Sequence, residues 1–402
     1  MQSDVKLLAA RLLVTVAALG FSGMLAAGPL EQAKRLHDRL TGVPADAATL
    51  EQMADLIGQG NAGAAAELAM AHPDFYRTTL KLFATPATNR DLDIFEPLND
   101  YSATIIGLVR DNADFRQILQ TDVLYVGADS LGLPPYTADN NAHYLALDQQ
   151  GIDLQQHLEP RSQSSLLGIP SEASAGVMTS RAGAKAFFYL GTNRAMLRFT
   201  LMSQLCTDLE PLKDTSTPAD RIRQDVSRSP GGDSRIFHNR CIGCHAGMDP
   251  LAQAFAYYDY QFTDENGDNG RLFYQQSGSS NSQTGSRVQP KYHINAGNFP
   301  FGYKTEDDHW QNYWREGRNQ ALGWDSSLPG EGYGAKSLGQ ELAHSVAFAQ
   351  CQVKKAFETT CLRPPETLAD VNLIQQTSER FSQSGYNLKQ VFADTATYCM
   401  GD

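Results

Sequence analysis

The chain has 402 residues, 42% of them apolar and 19% charged, enough to bury a real core in two or three domains. Its formal charge of −12 and pI near 5.2 oppose binding to phosphate backbones and anionic lipid. Nucleic acid and membrane surfaces are therefore excluded as favoured partners, and a basic patch on another protein is the natural docking complement.

The first 27 residues read as an export signal. Lys6 and Arg11 precede an apolar run from Leu12 to Ala26, and Leu25-Ala26-Ala27 offers small residues for cleavage. The run is short for a bilayer crossing, so no integral span is expected once it is removed; an uncut anchor is the alternative. A periplasmic, secreted or cell-surface location follows, and so does an environment that permits disulfides.

Residues 28–135 read as an N-terminal helical domain. Leu36, Leu40, Leu50, Met53, Leu56 and Ile57 recur at three- and four-residue spacing, punctuated by Gly42, Pro44, Gly58 and Gly60. Tyr101 to Leu124 is predicted as one long helix. Residues 136–175 are looser and read as a linker or wrapping segment. Residues 176–262 form a further module, in which Ala184–Leu205 is predicted helical with Leu190, Leu197, Leu201 and Leu205 on one side. Residues 263–335, rich in Gly, Ser and Asn, read as a small irregular insertion with short strands. In 336–402, a C-terminal helical module, Leu338, Leu342, Val346, Ala349 and Val353 make one apolar stripe, broken later at Arg363-Pro364-Pro365 and followed by two more helices. The fold class expected is mainly α: a multi-helix protein with an N-terminal helical domain and a small irregular, partly β insertion.

The chemistry lies in Cys241-Ile242-Gly243-Cys244-His245. Two thiols one helical turn apart can each add to a vinyl group of one porphyrin, while the adjoining imidazole reaches the iron from one face. With 6 Cys and 9 His in the chain, chance matches to C-x-x-C-H number about 0.002. A thioredoxin-like pair would want an α/β setting, and zinc would want two more ligands close by. The expected cofactor is one covalent haem c, with His245 as axial ligand, which makes 176–262 a haem-attachment module and the mainly α fold a multi-helix, cytochrome c-like haem domain. Asp249-Pro250 is read as the N-cap and first-turn proline of a following helix.

The sixth iron position is open to several residues. Met248, three residues past His245, lies on the same side of the porphyrin and cannot reach the other face. Met178 in Gly176–Thr179 and His293 in Lys291–Asn295 are loop candidates. Met196 and Met202 sit in core stripes, and His238 is placed to bond a propionate.

Cys206, Cys351, Cys361 and Cys399 remain, and allow two disulfides in three connectivities. The favoured reading ties the C-terminal module with one bridge and holds Cys206 to it with the other. Asp264 to Gly270 resembles the start of a calcium loop, but Asn269 replaces the glycine at position 6 and Gln275 the glutamate at position 12. A plain turn is the better reading. Trp310, Tyr313 and Trp314 fall at helical spacing and are read as packing, with a ligand cleft as the alternative.

The segments Gly176–Ser180, Asn193-Arg194, Leu205-Cys206 and CIGCHAGMDPLAQAF together resemble the planctomycete-type cytochrome modules, the DUF1588 and DUF1585 domains of unknown function. Leu338–Tyr398 is similar to the second of these, and Arg39–Pro44 to the opening of a helical module found with them. The resemblance implies an exported haem-binding protein and covers about half the chain. The insertion at 263–335 departs from the short linker of that family. The function expected is one-electron exchange with an exported redox protein. A haem oxygenase or peroxidase with an open iron site is the second possibility, and a surface binding protein with a structural haem the third.

Overall fold

A computed structural model describes residues 27–267 and 269–401 of the chain. All but the last residue of the export signal read at 1–27 lie outside the described residues. Among those described, no helix is long and apolar enough to cross a membrane. The architecture is mainly α, with three two-stranded antiparallel sheets.

Three helices open the fold: α1 (Pro29–Thr41), α2 (Ala47–Gly58) and α3 (Ala62–Met70). Asp46 caps α2 by accepting from the Thr49 amide at 2.9 Å, and Gly42 ends α1 in the left-handed conformation at φ 74°. Their apolar stripes turn inward as the spacing predicts, with Leu36, Leu40 and Met53 fully buried. A fourth helix, α4 (Asp100–Arg110), starts from a capping box between Asn99 and Ser102. It is shorter than the Tyr101–Leu124 helix expected. The chain leaves it at Asp111, passes through Asn112 at φ 50°, and enters strand β1 (Leu124–Gly127), which pairs with β2 (Leu158–Arg161). The segment read as a linker thus contributes a strand and a buried His143, whose Nε2 accepts from the Gly127 amide at 2.8 Å.

The helix expected over Ala184–Leu205 is broken in two. α5 (Arg181–Phe187) and α6 (Arg194–Gln204) flank a turn in which Leu190 and Asn193 take φ 59° and 62°. Leu190 is 64% exposed instead of joining the stripe. Asn193 can adopt this left-handed geometry with little penalty, and its amide donates to the Phe255 and Tyr258 carbonyls, both at 2.9 Å. That bond anchors the start of α6 to the chain following the cysteine motif.

After the motif helix α7 (Ile242–Ala252), a hairpin pairs β3 (Tyr258–Phe262) with β4 (Gly270–Tyr274). Its turn holds the suspected calcium loop, where the Asp264 carboxylate accepts from the Asn269 amide and side chain at 2.9 and 2.8 Å. Strand β5 (His309–Gln311) pairs with β6 (Glu331–Tyr333). Trp310 is therefore in a strand and Trp314 in a single 3-10 turn, not on one helix face; both are buried.

Four helices close the chain: α8 (Gly334–Ala343), α9 (Val346–Cys361), α10 (Leu368–Gln383) and α11 (Leu388–Cys399). The single stripe expected across α8 and α9 is interrupted at His344-Ser345, where the Ser345 hydroxyl caps α9 by accepting from the Phe348 amide at 3.2 Å, and Val346 is left 53% exposed. The two ends of the chain share a core. α11 packs on α1 and α3 and α9 packs on α1, with Phe392 edge-on to Phe75 and Phe83 at centroid distances of 5.5 and 5.3 Å.

Candidate haem-attachment site

Helix α7 carries Cys244 and His245 of the C-x-x-C-H motif, with Cys241 at its N-cap, and has three differently covered faces. Ala246 and the partly buried Cys241 and Ile242 meet Ile222, Val226 and Phe237 in a small apolar cluster separate from the main core. Gly243 and Gly247, one turn apart, form the second face. A Cβ on Gly243 would come within 2.9 Å of the Lys213 chain, and the Gly243 carbonyl accepts from the Asp214 amide at 3.1 Å. Gly247 lies directly against the indole of Trp314. His245 and Asp249, also one turn apart, form the third face.

On that third face the His245 Nδ1 is bonded to the Asp249 carboxylate at 3.0 Å. Asp249 is fully buried and is gripped by Arg194, whose Nε and Nη2 donate at 2.6 and 3.1 Å; the Arg223 amide adds a further bond at 3.1 Å. Arg194 also donates from Nη1 and Nη2 to Asp225 at 2.7 and 3.0 Å and from Nη1 to the Thr192 hydroxyl, and Arg223 donates to Asp225 from Nε at 3.0 Å. Burial pushes the Asp249 carboxyl up, but the charges of Arg194, His245 and Arg223 outweigh it and hold the group well below the usual carboxylate range. Asp225 is lowered in the same way: burial opposes, and Arg223 and Arg194 prevail. Two buried carboxylates are thus kept ionised by two arginines beneath the motif histidine. Asp249 is consequently not a helix N-cap. α7 already runs through it, and Pro250 sits inside the last turn before the helix tightens into a 3-10 turn at Gln253–Phe255.

The cysteines divide into two chemical classes. Cys206 is bridged to Cys351 and Cys361 to Cys399, with Cα separations of 5.2 and 5.4 Å, which selects one of the three connectivities left open by the sequence. Cys241 and Cys244 are free and half-buried. Burial and the nearby Glu210 push the Cys244 thiol up, which disfavours the thiolate that a redox or nucleophilic cysteine requires.

The remaining sequence-nominated residues are distributed as follows. Met178 is buried in the main core, its methyl against Gly339 of α8. Its 3-10 turn packs on α5 and α8, whereas α7 packs on α6 and β5. His293 lies nearer the site: two residues on, Asn295 donates to the Asp225 carbonyl at 2.8 Å. The His293 Nε2, however, is bonded to the Thr305 carbonyl at 2.7 Å. His238 is exposed beside the motif. Arg228 lies over Phe237 at 4.8 Å and donates to the Val226 and Ile222 carbonyls at 3.2 and 3.1 Å. Met248 is buried on the core side of α7.

These residues meet the chemical demands of a haem c. Two unpaired thiols stand three residues apart, an apolar cluster borders Cys241, and the His245 ring is fixed through Nδ1 so that its other nitrogen is the one left for iron. Among the described residues, no three His, Cys, Asp or Glu side chains converge as a protein-only metal site. Sequence reading missed Arg194, Arg223 and Asp225 as site residues. The four-residue step from His245 to Asp249 was the available signal for the carboxylate. No family model, curated protein or solved structure matches the chain.

Proposed function

We propose that this chain is an exported monohaem c-type cytochrome-like protein that exchanges single electrons with another exported redox protein. The observation that carries the reading is the division of its cysteines: four are paired in disulfides, and the two left free are those of C-x-x-C-H. Two disulfides favour an oxidising compartment, where a free dithiol at this spacing fits thioether attachment. His245 would hold the iron, and the bound group would supply a one-electron couple. Arg228 and the exposed Arg240 supply positive charge near the motif for the propionates, and the exposed His238 supplies a hydrogen-bonding ring. The acidic remainder of the surface suits a basic partner.

The test is expression in a host with a working haem-attachment system. The denatured protein should retain haem after acid–acetone extraction, with a c-type pyridine haemochrome spectrum. Cys241→Ser with Cys244→Ser should abolish that retention. Wild-type protein that carries no covalent haem would overturn the reading.

A second reading, a haem enzyme with an open iron position, is favoured by the commitments of the two nominated ligands, Met178 within the core and His293 to a backbone carbonyl. Visible spectra with and without carbon monoxide separate the two. Low-spin iron inert to carbon monoxide supports the carrier, and high-spin iron that binds it supports the enzyme.

A further inference from the structure

The buried carboxylate beneath His245 points to a second function for the motif helix, which rests on the haem reading above. A histidine that holds a metal through one nitrogen is tuned by whatever accepts from the other. A carboxylate there makes the imidazole a stronger electron donor than a neutral carbonyl does. Asp249 is such an acceptor, 3.0 Å from His245 Nδ1 and fully buried. We propose that Asp249 is a positioning and tuning residue that fixes the His245 ring and stabilises the ferric state, so that the chain works at a lower potential than the same haem with an uncharged acceptor.

Three features of the site support this role. The spacing of four residues on one helix makes the bond part of α7 itself, so the ring cannot turn without breaking it. Arg194 occupies both oxygens of Asp249 and also both oxygens of Asp225, which fixes the carboxylate in orientation as well as in charge. Finally, Asp225 offers an internal control. It belongs to the same buried network, contacts the same two arginines, and makes no bond to His245.

The test is a redox titration of the purified holoprotein as wild type, Asp249→Asn and Asp225→Asn, each first checked for covalent haem and for stability in urea. Asp249→Asn is expected to raise the ferrous-to-ferric ratio at fixed ambient potential at least tenfold, about 59 mV for a one-electron couple. Asp225→Asn, with comparable loss of stability, should shift it less than a third as far in mV. Equal shifts for the two variants, or no shift for Asp249→Asn with haem attached, would overturn the assignment and leave the haem reading standing. Absence of haem from the wild type overturns both. If Asp249→Asn does not fold, nitrogen-15 NMR of the wild-type ferrous holoprotein with labelled histidine reads the same bond without any added ligand. A His245 Nδ1 shifted toward the imidazolate range supports the assignment, and one indistinguishable from that of a carbonyl-bonded histidine overturns it.

Discussion

The indole edge of Trp314 occupies the place where a side chain on Gly247 would project, so the helix bearing the motif and the 3-10 turn bearing the tryptophan touch backbone to ring. Trp314 has little room to withdraw. Its amide donates to Asn312 Oδ1 at 3.0 Å, Asn312 in turn donates to Glu341 at 2.7 Å, and the Trp314 carbonyl accepts from Trp324 Nε1 at 2.9 Å. Gly247→Ala must therefore displace α7 itself. Overpacking of this kind costs about 1–3 kcal/mol, and the variant should unfold at lower urea by that amount. It should also attach haem less completely, because Cys244 and His245 lie on the displaced helix. Full stability with full attachment would show that the tryptophan can move.

The reach of sequence reading can be judged from this same helix. C-x-x-C-H is legible because its chemistry is local: three side chains within five residues do the work. Asp249-Pro250 was read as a helix start because Asp and Pro commonly stand there. The helix had in fact begun seven residues earlier, and beyond His245 the aspartate's partners are the Arg194 side chain and the Arg223 amide, which no local pattern can place. Arg194 comes from 55 residues away and Arg223 from 26. The turn at Leu190–Asn193 was hidden for a similar reason, since Asn193 is held there by carbonyls beyond residue 254. The cysteine pairing was half legible. Proximity in sequence favours a bridge within the C-terminal module, and the assignment of Cys351 to Cys206 depends on how α6 meets α9.

The two disulfides differ mainly in the loop they close. In the chain-entropy account, Cys206–Cys351, with 145 residues of separation, contributes up to about 5 kcal/mol. Cys361–Cys399, with 38, contributes up to about 4 kcal/mol. Replacing each pair by serine should order their urea midpoints accordingly, with the Cys206–Cys351 variant the weaker. The reverse order would mean that local packing of α9 against α11 outweighs loop length.

Asp308 carries a buried carboxyl, 9% exposed, which burial pushes up to about 6. An unfolded aspartate titrates near 3.9. Between those values the folded chain binds more protons than the unfolded one, so stability attributable to this group falls as pH rises from about 4 to about 6. At neutral pH the buried charge costs on the order of 3 kcal/mol. Asp308→Asn should therefore exceed wild type in urea resistance at pH 7.5 and lose that advantage near pH 4. A difference that does not change with pH would assign the effect to packing.

Arg194 joins Asp249 to Asp225, and its removal has a sign that can be worked out. Arg194→Leu leaves two buried carboxylates sharing Arg223, whose side chain reaches Asp225 and whose amide alone reaches Asp249. Breaking a buried pair in this way costs about 3–5 kcal/mol. In the wild type both carboxyls are depressed, so their stabilisation is complete above the unfolded value near 3.9 and is lost as pH falls below it. In the variant, burial is less opposed and the carboxyls rise, so acidification relieves it. The gap between the two proteins should be widest at pH 7 and narrow steadily toward pH 4 and below in urea unfolding. Arg194→Lys keeps the charge but cannot fork to both partners, and should fall between them. If Arg194→Leu matched wild type at pH 7, the two carboxylates would have to be protonated or hydrated in the native protein, and the ionised Asp249 beneath His245 would go with them.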